Sequence, residues 1–250
     1  MSRTLYILRM SNSPDPVSAA SVRAPLVDAA TPVASTPWSR LAPAMCARPG
    51  LLIVLGVALA AAGRPLLWMN VLIIPVDVVT LLLVHRLLRA EGRGLADLLR
   101  PVRGGDIAWG LLCGLIVVLA WFPASFIAGL VAYRGPMPTA AYQSVPLWIA
   151  LVGVTIMPVT IGLAEEALYR GYLQPRLAGV LGQARAVIAA SAFFAVQHIA
   201  FAPFDPRAMV FGIVRTFLAG LVFAGLFLWR RRVMPLANEE IGRASCRERV

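Results

Sequence analysis

Charged residues are scarce in this chain of 250 residues. They make up 14% of it, whereas hydrophobic residues make up 59%; an average soluble domain has about 25% charged residues. A soluble domain of this length could not bury so much apolar surface. A lipid bilayer can cover it, because each span of about 20 apolar residues needs no further cover. The scarcity of charge therefore predicts an all-α, polytopic transmembrane helix bundle.

Lysine is absent, and cysteine is rare. All 23 basic residues are arginine, which together with abundant Ala, Gly and Pro is typical of GC-rich coding and favours a bacterial source. The three cysteines, Cys46, Cys113 and Cys246, show no spacing that would indicate a disulfide framework or a metal knuckle. The N-terminus lacks the apolar core and cleavage site of a signal peptide, and no internal repeat is visible.

The net charge of +11 does not indicate a nucleic-acid partner. The arginines lie between apolar runs, where they act as topology signals rather than as a phosphate-binding patch. We therefore predict that this chain lies in a lipid bilayer and does not bind nucleic acid.

Apolar runs predict six spans. Residues 51–85 are long enough for two helices that turn near Arg64–Asn70, and four further runs carry almost no charge: 107–133, 135–164, 186–204 and 208–229. Arg215 interrupts the last run; it could line a cavity or pair with Asp77 of the second span, although packing or snorkelling would also account for it. Residues 1–49 hold seven prolines and no sustained apolar run, which predicts a disordered cytoplasmic arm.

Arginine is distributed unevenly between the two sides of the predicted bundle. The opposite side has one arginine per loop, at Arg64, Arg134 and Arg207. The side that includes the N-terminus has many more: Arg23, Arg40, Arg48, Arg86, Arg89, Arg93, Arg100, Arg103, Arg170, Arg176, Arg185 and Arg230–Arg232. By the positive-inside rule this richer side is cytoplasmic. We predict a multi-pass protein of the inner or plasma membrane with a cytoplasmic N-terminus.

Two adjacent carboxylates, Glu165 and Glu166, end the fourth apolar run. An ionisable group at membrane depth is costly and indicates function by default. Glu166 and Arg170 are four residues apart, with Glu on the N-terminal side, which favours an ion pair on a helix. Because neighbouring helical residues differ by about 100° around the axis, Glu165 points elsewhere and is left free. A helix end with solvated Glu–Arg pairs would explain the same residues.

His198 lies in the fifth apolar run and is one of only two histidines. Phe194 precedes it by four residues, so the aromatic ring can support the imidazole on one helix face. The other histidine, His85, lies beside Arg86 at a predicted span end and is interpreted as structural.

These residues form two motifs that are similar to those of a known family. Glu165–Arg170 (EEALYR) fits an EExxxR motif, and Phe194–His198 (FAVQH) fits an FxxxH motif in the next helix. Over about 106–237 the chain resembles the CAAX-processing and bacteriocin-processing intramembrane endopeptidases, which include type II CAAX prenyl endopeptidases and lysostaphin-resistance-like proteins. The predicted domains are thus the arm 1–49, two spans with a basic loop over 50–105, and the protease-like domain 106–237.

The resemblance implies hydrolysis of a peptide bond in a membrane-associated peptide or protein, of the CAAX type or the leader and bacteriocin type. Glu165 with His198 would hold and activate the attacking water, and Glu166 and Arg170 would support them. The family has been described both as metal-dependent and as glutamic. A zinc site needs three protein ligands, and Glu165, Glu166 and His198 would be an unusual set. We therefore favour a water-activating carboxylate and predict no certain cofactor, with zinc as the alternative.

The end of the sequence departs from the family pattern. The family has a later HxxxN or HxxxD motif thought to stabilise the oxyanion, but this sequence has no histidine after His198. Residues 240–250 (EIGRASCRERV) match the in-frame translation of a common sequencing-library adapter. We predict that the chain is truncated: its native part runs to about Ala237, and Val233–Ala237 begins a seventh span that is cut before the later histidine motif. A chain that ends there is predicted to be a poor protease, since an oxyanion donor is worth about 3 kcal/mol.

The two motifs can meet only under a geometric condition. If the fourth span started near Pro146 and the fifth near Ala186, Glu165 would lie near the cytoplasmic face and His198 much deeper. The fourth span must therefore start late, bend at Pro158 and continue to about Tyr172.

Two other functions fit the same features. A non-catalytic immunity or scaffold protein could keep this fold, and paired carboxylates with histidine also build the proton relays of small transporters. Broken helices in repeated halves would favour a transporter, and none are visible in the sequence.

Overall fold

The computed structural model describes residues 36–63, 66–99, 104–135 and 145–230, and within these ranges the chain is helical and contains no strand. The arm up to residue 35, Arg64, the predicted seventh span at Val233–Ala237 and the tail 240–250 lie outside the described residues. The α-helices have the following bounds: α1 Trp38–Ala61, α2 Met69–Arg89, α3 Leu95–Leu99, α4 Asp106–Tyr133, α5 Leu147–Glu165, α6 Gln174–Leu181, α7 Gln183–Val196 and α8 Pro206–Arg230.

Within the described ranges, six helices are long and apolar enough to cross a membrane, which confirms the predicted all-α polytopic bundle. Each is more than 18 residues long and matches one of the six predicted runs. Large apolar side chains are exposed on the surfaces of these helices, for example Leu111 of α4 (71%) and Val154 of α5 (72%). Apolar side chains exposed to this extent have a favourable environment only in hydrocarbon.

Helix α1 begins at Trp38, so the predicted disordered arm is wrong for residues 38–49. The prediction relied on proline, but Pro43 and Pro49 both lie inside this helix. Proline removes a backbone hydrogen bond, yet membrane helices tolerate it when neighbouring helices pack around the break. Pro49 and its neighbour Arg48 are buried against the rest of the bundle.

The fourth span starts at Leu147 and continues to Leu181 as one helical segment of 35 residues. Pro146 precedes it in an extended conformation, with φ −51° and ψ 134°. After α5 the chain forms a π-helix over Glu166–Leu173 before α6 begins. The predicted continuation to about Tyr172 is therefore confirmed, whereas the predicted late start is wrong, because the span begins directly after Pro146.

Gly182, with φ +80°, turns the chain from α6 into the antiparallel α7. Glu165 and Gln197 lie about equally far from this turn along the chain, so they reach the same level of the bundle. The end of the fifth span, Gln197–Phe201, is a 3₁₀-helix. The apolar runs in the sequence suggested that Glu165 and His198 could lie at different depths in the membrane. The turn at Gly182 brings the two motifs to the same level.

Helix packing places the two N-terminal spans against the motif helices. Helix α2 packs on α5, α4 and α7 pack on α8, and α1 packs on the 3₁₀-helix. Gly56 of α1 approaches Ala200 so closely that a methyl group at position 56 would overlap the Ala200 carbonyl oxygen. Only glycine permits this contact between backbones.

Candidate active site

Glu165 is held by two donors from different helices. Its Oε1 accepts a hydrogen bond from Gln197 Nε2 at 2.6 Å and one from Arg48 Nη2 at 3.2 Å. Its Oε2 makes no hydrogen bond with another residue that the structure describes. The side chain is 15% exposed. One carboxylate oxygen is thus used for attachment, and the other is available to a ligand or water.

Arg48 and Asp77 form a fully buried ion pair next to Glu165. Arg48 Nη1 lies 2.6 Å from Asp77 Oδ1, and both side chains are 0% exposed. The same nitrogen lies 3.3 Å from Thr80 Oγ1, and Arg48 Nε donates to Gln197 Oε1 at 3.1 Å. Tyr169 also donates to Gln197 Oε1, at 3.0 Å. These contacts join α1 and α2 to both motif helices.

Glu166 and Arg170 form the ion pair that their spacing predicts. Arg170 Nη1 lies 3.3 Å from Glu166 Oε1, a distance that allows attraction but without hydrogen-bond alignment. The guanidinium lies over the rings of Phe194 and Phe223, 4.7 and 4.9 Å from their centroids. Cation–π contacts of this kind stabilise a desolvated arginine. Arg170 therefore ties the π-helix to α7 and α8.

His198 is oriented by Phe194 in two ways. Its Nδ1 lies 3.0 Å from the Phe194 carbonyl oxygen, and the two rings meet edge to face with centroids 5.3 Å apart. Because a carbonyl oxygen only accepts, Nδ1 carries the proton, and in the neutral imidazole Nε2 is then the acceptor. Nε2 makes no hydrogen bond with another described residue, so it is available to a ligand or water.

An open, mainly apolar cavity of about 300 Å³ lies beside His198. His198 and Arg215 are its polar lining residues, and the others are Phe201, Ala202, Ala208, Phe211 and Gly212. The Arg215 guanidinium lies over Trp121 and Phe211, and its Nε has no partner among the described residues. Arg215 thus packs on two aromatic rings, in line with the packing explanation, and also lines a cavity; the pairing with Asp77 is wrong, because Asp77 binds Arg48.

The structure brings the four predicted residues, Glu165, Glu166, Arg170 and His198, into one region where the π-helix faces α7. No direct hydrogen bond joins Glu165 to His198; in the second motif the residue that bonds to Glu165 is Gln197, which precedes His198. Sequence reasoning missed three participants: Arg48, Asp77 and Gln197. The isolated carboxylate Asp77 in an apolar run was the available signal, since a buried charge requires a partner.

The residues that the structure describes around Glu165 do not fit a metal ion. Across the described ranges, no three His, Cys, Asp or Glu side chains come together as a possible metal-binding group. The set Glu165, Glu166 and His198, considered for zinc, is therefore not assembled, because Glu166 turns toward Arg170 and His198 toward Phe194.

The fold and the site together define a multi-pass membrane protein with a polar, carboxylate-containing site between buried helices. Residues 144–237 match the family model described as type II CAAX prenyl endopeptidase Rce1-like. This match confirms the resemblance predicted from the two motifs, at the level of a CAAX-type protease family. It covers α5 to α8 and leaves α1, α2 and α4 outside. No curated protein and no solved structure matches the chain.

Proposed function

We propose that this protein is an intramembrane endopeptidase in which Glu165 activates a water molecule for attack on a peptide bond. The observation that carries the proposal is the state of Glu165: one carboxylate oxygen is fixed by Gln197 and Arg48, and the other is free to bind water. A general base must be held in place and yet reach the proton that it takes. The family match over the same helices supports this assignment.

In the proposed reaction Glu165 takes a proton from water while the water oxygen attacks the peptide carbonyl carbon. The carbon–nitrogen bond then breaks, and the proton passes from Glu165 to the departing amine. The products are a new carboxyl group and a new amino group, so the atoms of water are fully accounted for. His198 would orient the water or the carbonyl oxygen, because its Nε2 makes no hydrogen bond with another described residue.

The cavity beside His198 would hold the substrate segment next to the scissile bond. Its lining is apolar except for His198 and Arg215, which suits a hydrophobic peptide lying in a membrane. We propose a membrane-associated peptide or protein as the substrate. Glu166 and Arg170 would support the site through their ion pair, in which Arg170 is buried, rather than touch the substrate.

Glu165→Gln tests the proposal, with Glu91→Gln as the matched control. Gln keeps the shape of the side chain and removes the base, so cleavage of a membrane-bound reporter peptide should fall by two to four powers of ten, the range of roughly 10²–10⁴ that general-base catalysis supplies. Glu91 is also paired with a buried arginine, Arg176, and is 16% exposed against 15% for Glu165. Its substitution should leave turnover unchanged, because it lies outside the site.

The same experiment separates the protease from its main rival. In a non-catalytic immunity or scaffold protein of this fold, the Arg48–Glu165 pair would serve only to stabilise helix packing. Such a protein would show no cleavage in any variant. Near-normal turnover in Glu165→Gln beside an active Glu91→Gln would remove Glu165 as the base.

A further inference from the structure

Arg48 stands outside the segment that matches the protease family, yet it contacts the candidate base. The match begins at residue 144, whereas Arg48 lies in α1. Its Nη2 donates to Glu165 Oε1, the oxygen that also accepts from Gln197. A helix that the family comparison leaves out therefore supplies part of the site.

Each of the three nitrogens of the Arg48 guanidinium contacts different residues. Nη1 contacts Asp77 at 2.6 Å and Thr80 at 3.3 Å on α2, Nε contacts Gln197 at 3.1 Å, and Nη2 contacts Glu165 at 3.2 Å. A guanidinium is planar, so three fixed nitrogens define both the position and the plane of the group. Lysine has one nitrogen on a flexible stem and could not replace this arrangement.

We propose that Arg48 is the positioning residue for Glu165 and that Asp77 anchors Arg48. This inference rests on the proposed function, since it assigns the group that holds the base. Arg48 and Gln197 both bind Oε1 and so fix the rotation of the carboxylate, which leaves Oε2 directed away from them. Helices α1 and α2 then belong to the active site, and the protease unit is larger than the family match.

The need to neutralise a buried Arg48 does not by itself explain its contacts with Gln197 and Glu165. Asp77 by itself would neutralise Arg48, because the two charges are paired at 2.6 Å and both side chains are fully buried. The additional bonds to Glu165 and Gln197 reach across to the two motif helices. A purely structural pair could be removed as a unit with little harm, because replacing both partners of a buried ion pair is often neutral for stability.

The test removes Arg48 and Asp77 together, as Arg48→Met with Asp77→Asn, and measures kcat and KM with a membrane-bound peptide in proteoliposomes. We expect kcat to fall on the order of 100-fold, the effect of a small misplacement of a catalytic group. KM should change little, because substrate binding does not use Arg48. The matched control is Arg176→Met with Glu91→Gln, a buried pair outside the site, which should keep the wild-type kcat.

Arg48→Lys provides a second variant that keeps the charge. Its single nitrogen cannot reach Asp77, Gln197 and Glu165 together, so we expect kcat between that of the wild type and that of the double variant. Wild-type kcat in Arg48→Lys or in the double variant, with Glu165→Gln inactive, would overturn the positioning role alone. Turnover by Glu165→Gln would instead contradict the proposed function.

Discussion

At the scale of single residues, the two adjacent glutamates have different surroundings. Glu166 pairs with Arg170 on its own helix, whereas Glu165 contacts Gln197 and Arg48 from other helices. The helical angle between neighbouring residues produces this separation. Glu166 is therefore engaged within its own helical segment, whereas Glu165 lies where three segments of the chain meet, as the proposed role of a base requires.

His198 offers a separate test of the site. Replacing it by alanine removes the Nε2 acceptor, and we expect turnover to fall by roughly 10²–10⁴-fold, the range for a residue that assists proton transfer. The matched substitution is His85→Ala, which changes the only other histidine, an exposed residue at the end of α2. Reporter cleavage by both variants in proteoliposomes provides the measurement. Equal turnover in the two variants would show that His198 is structural.

Local spacing predicted some contacts of the site and could not predict others. The Glu166–Arg170 pair and the support of His198 by Phe194 are each four residues apart, so the helical repeat is sufficient to find them. Arg48 and Glu165 are 117 positions apart. Their contact depends on how α1 packs against the 3₁₀-helix, and no periodic pattern in the sequence contains that information.

At the scale of helices, the π-helix over Glu166–Leu173 contains every residue of the first motif except Glu165. π-Helical turns are rare and occur often at functional sites. This segment is more polar than α5, yet seven of its eight residues are buried: Ala167, Leu168, Tyr169, Arg170, Gly171, Tyr172 and Leu173. The π-helix therefore places polar side chains inside the bundle rather than at a membrane surface.

The contact of α1 with the 3₁₀-helix predicts a sharp difference between two glycines of one helix. Gly56→Ala should destabilise the protein by about 1–3 kcal/mol, because overpacking displaces neighbouring backbone and the new methyl group would overlap the Ala200 carbonyl oxygen. Gly50 is the control: a methyl group there meets nothing within 4 Å, so alanine should be neutral or stabilising by about 0.5–1 kcal/mol.

Thermal unfolding in detergent measures both glycine variants. The expected order of melting temperatures is Gly50→Ala at or above the wild type and Gly56→Ala below it. A Gly56→Ala protein as stable as Gly50→Ala would mean that α1 does not approach Ala200 closely, and the placement of Arg48 beside Glu165 would then lose its support.

Hydropathy predicted the spans but not the start of the first one. An uncharged run identifies a membrane helix because hydrocarbon tolerates little else, and all six runs became helices. The start of α1 was missed because it contains two prolines, which are unfavourable in an isolated helix, and Arg48, a charge that a membrane span rarely contains. Their tolerance comes from tertiary packing.

At the scale of the whole molecule, the structure changes the arginine count on which the orientation depends. Arg48, Arg170 and Arg176 are buried in ion pairs and do not report on loops. The asymmetry persists without them. Within the described ranges the other side has Arg134 and Arg207, whereas the richer side still has Arg40, Arg86, Arg89, Arg93, Arg185 and Arg230. The predicted orientation of the protein in the membrane is therefore unchanged: the arginine-rich side is cytoplasmic.

Cysteine labelling tests this orientation directly. In a background with Cys46, Cys113 and Cys246 replaced by serine, we would introduce Ala96→Cys or Phe204→Cys, both at exposed positions on opposite sides of the bundle. A membrane-impermeant maleimide should label position 204 in intact cells and position 96 only after the cells are opened. The physical reason is that arginine-rich loops are retained on the cytoplasmic side during insertion. Labelling of position 96 in intact cells would show that the topology is the reverse of the predicted one. The Glu165 site would then lie at a different distance from the cytoplasmic surface.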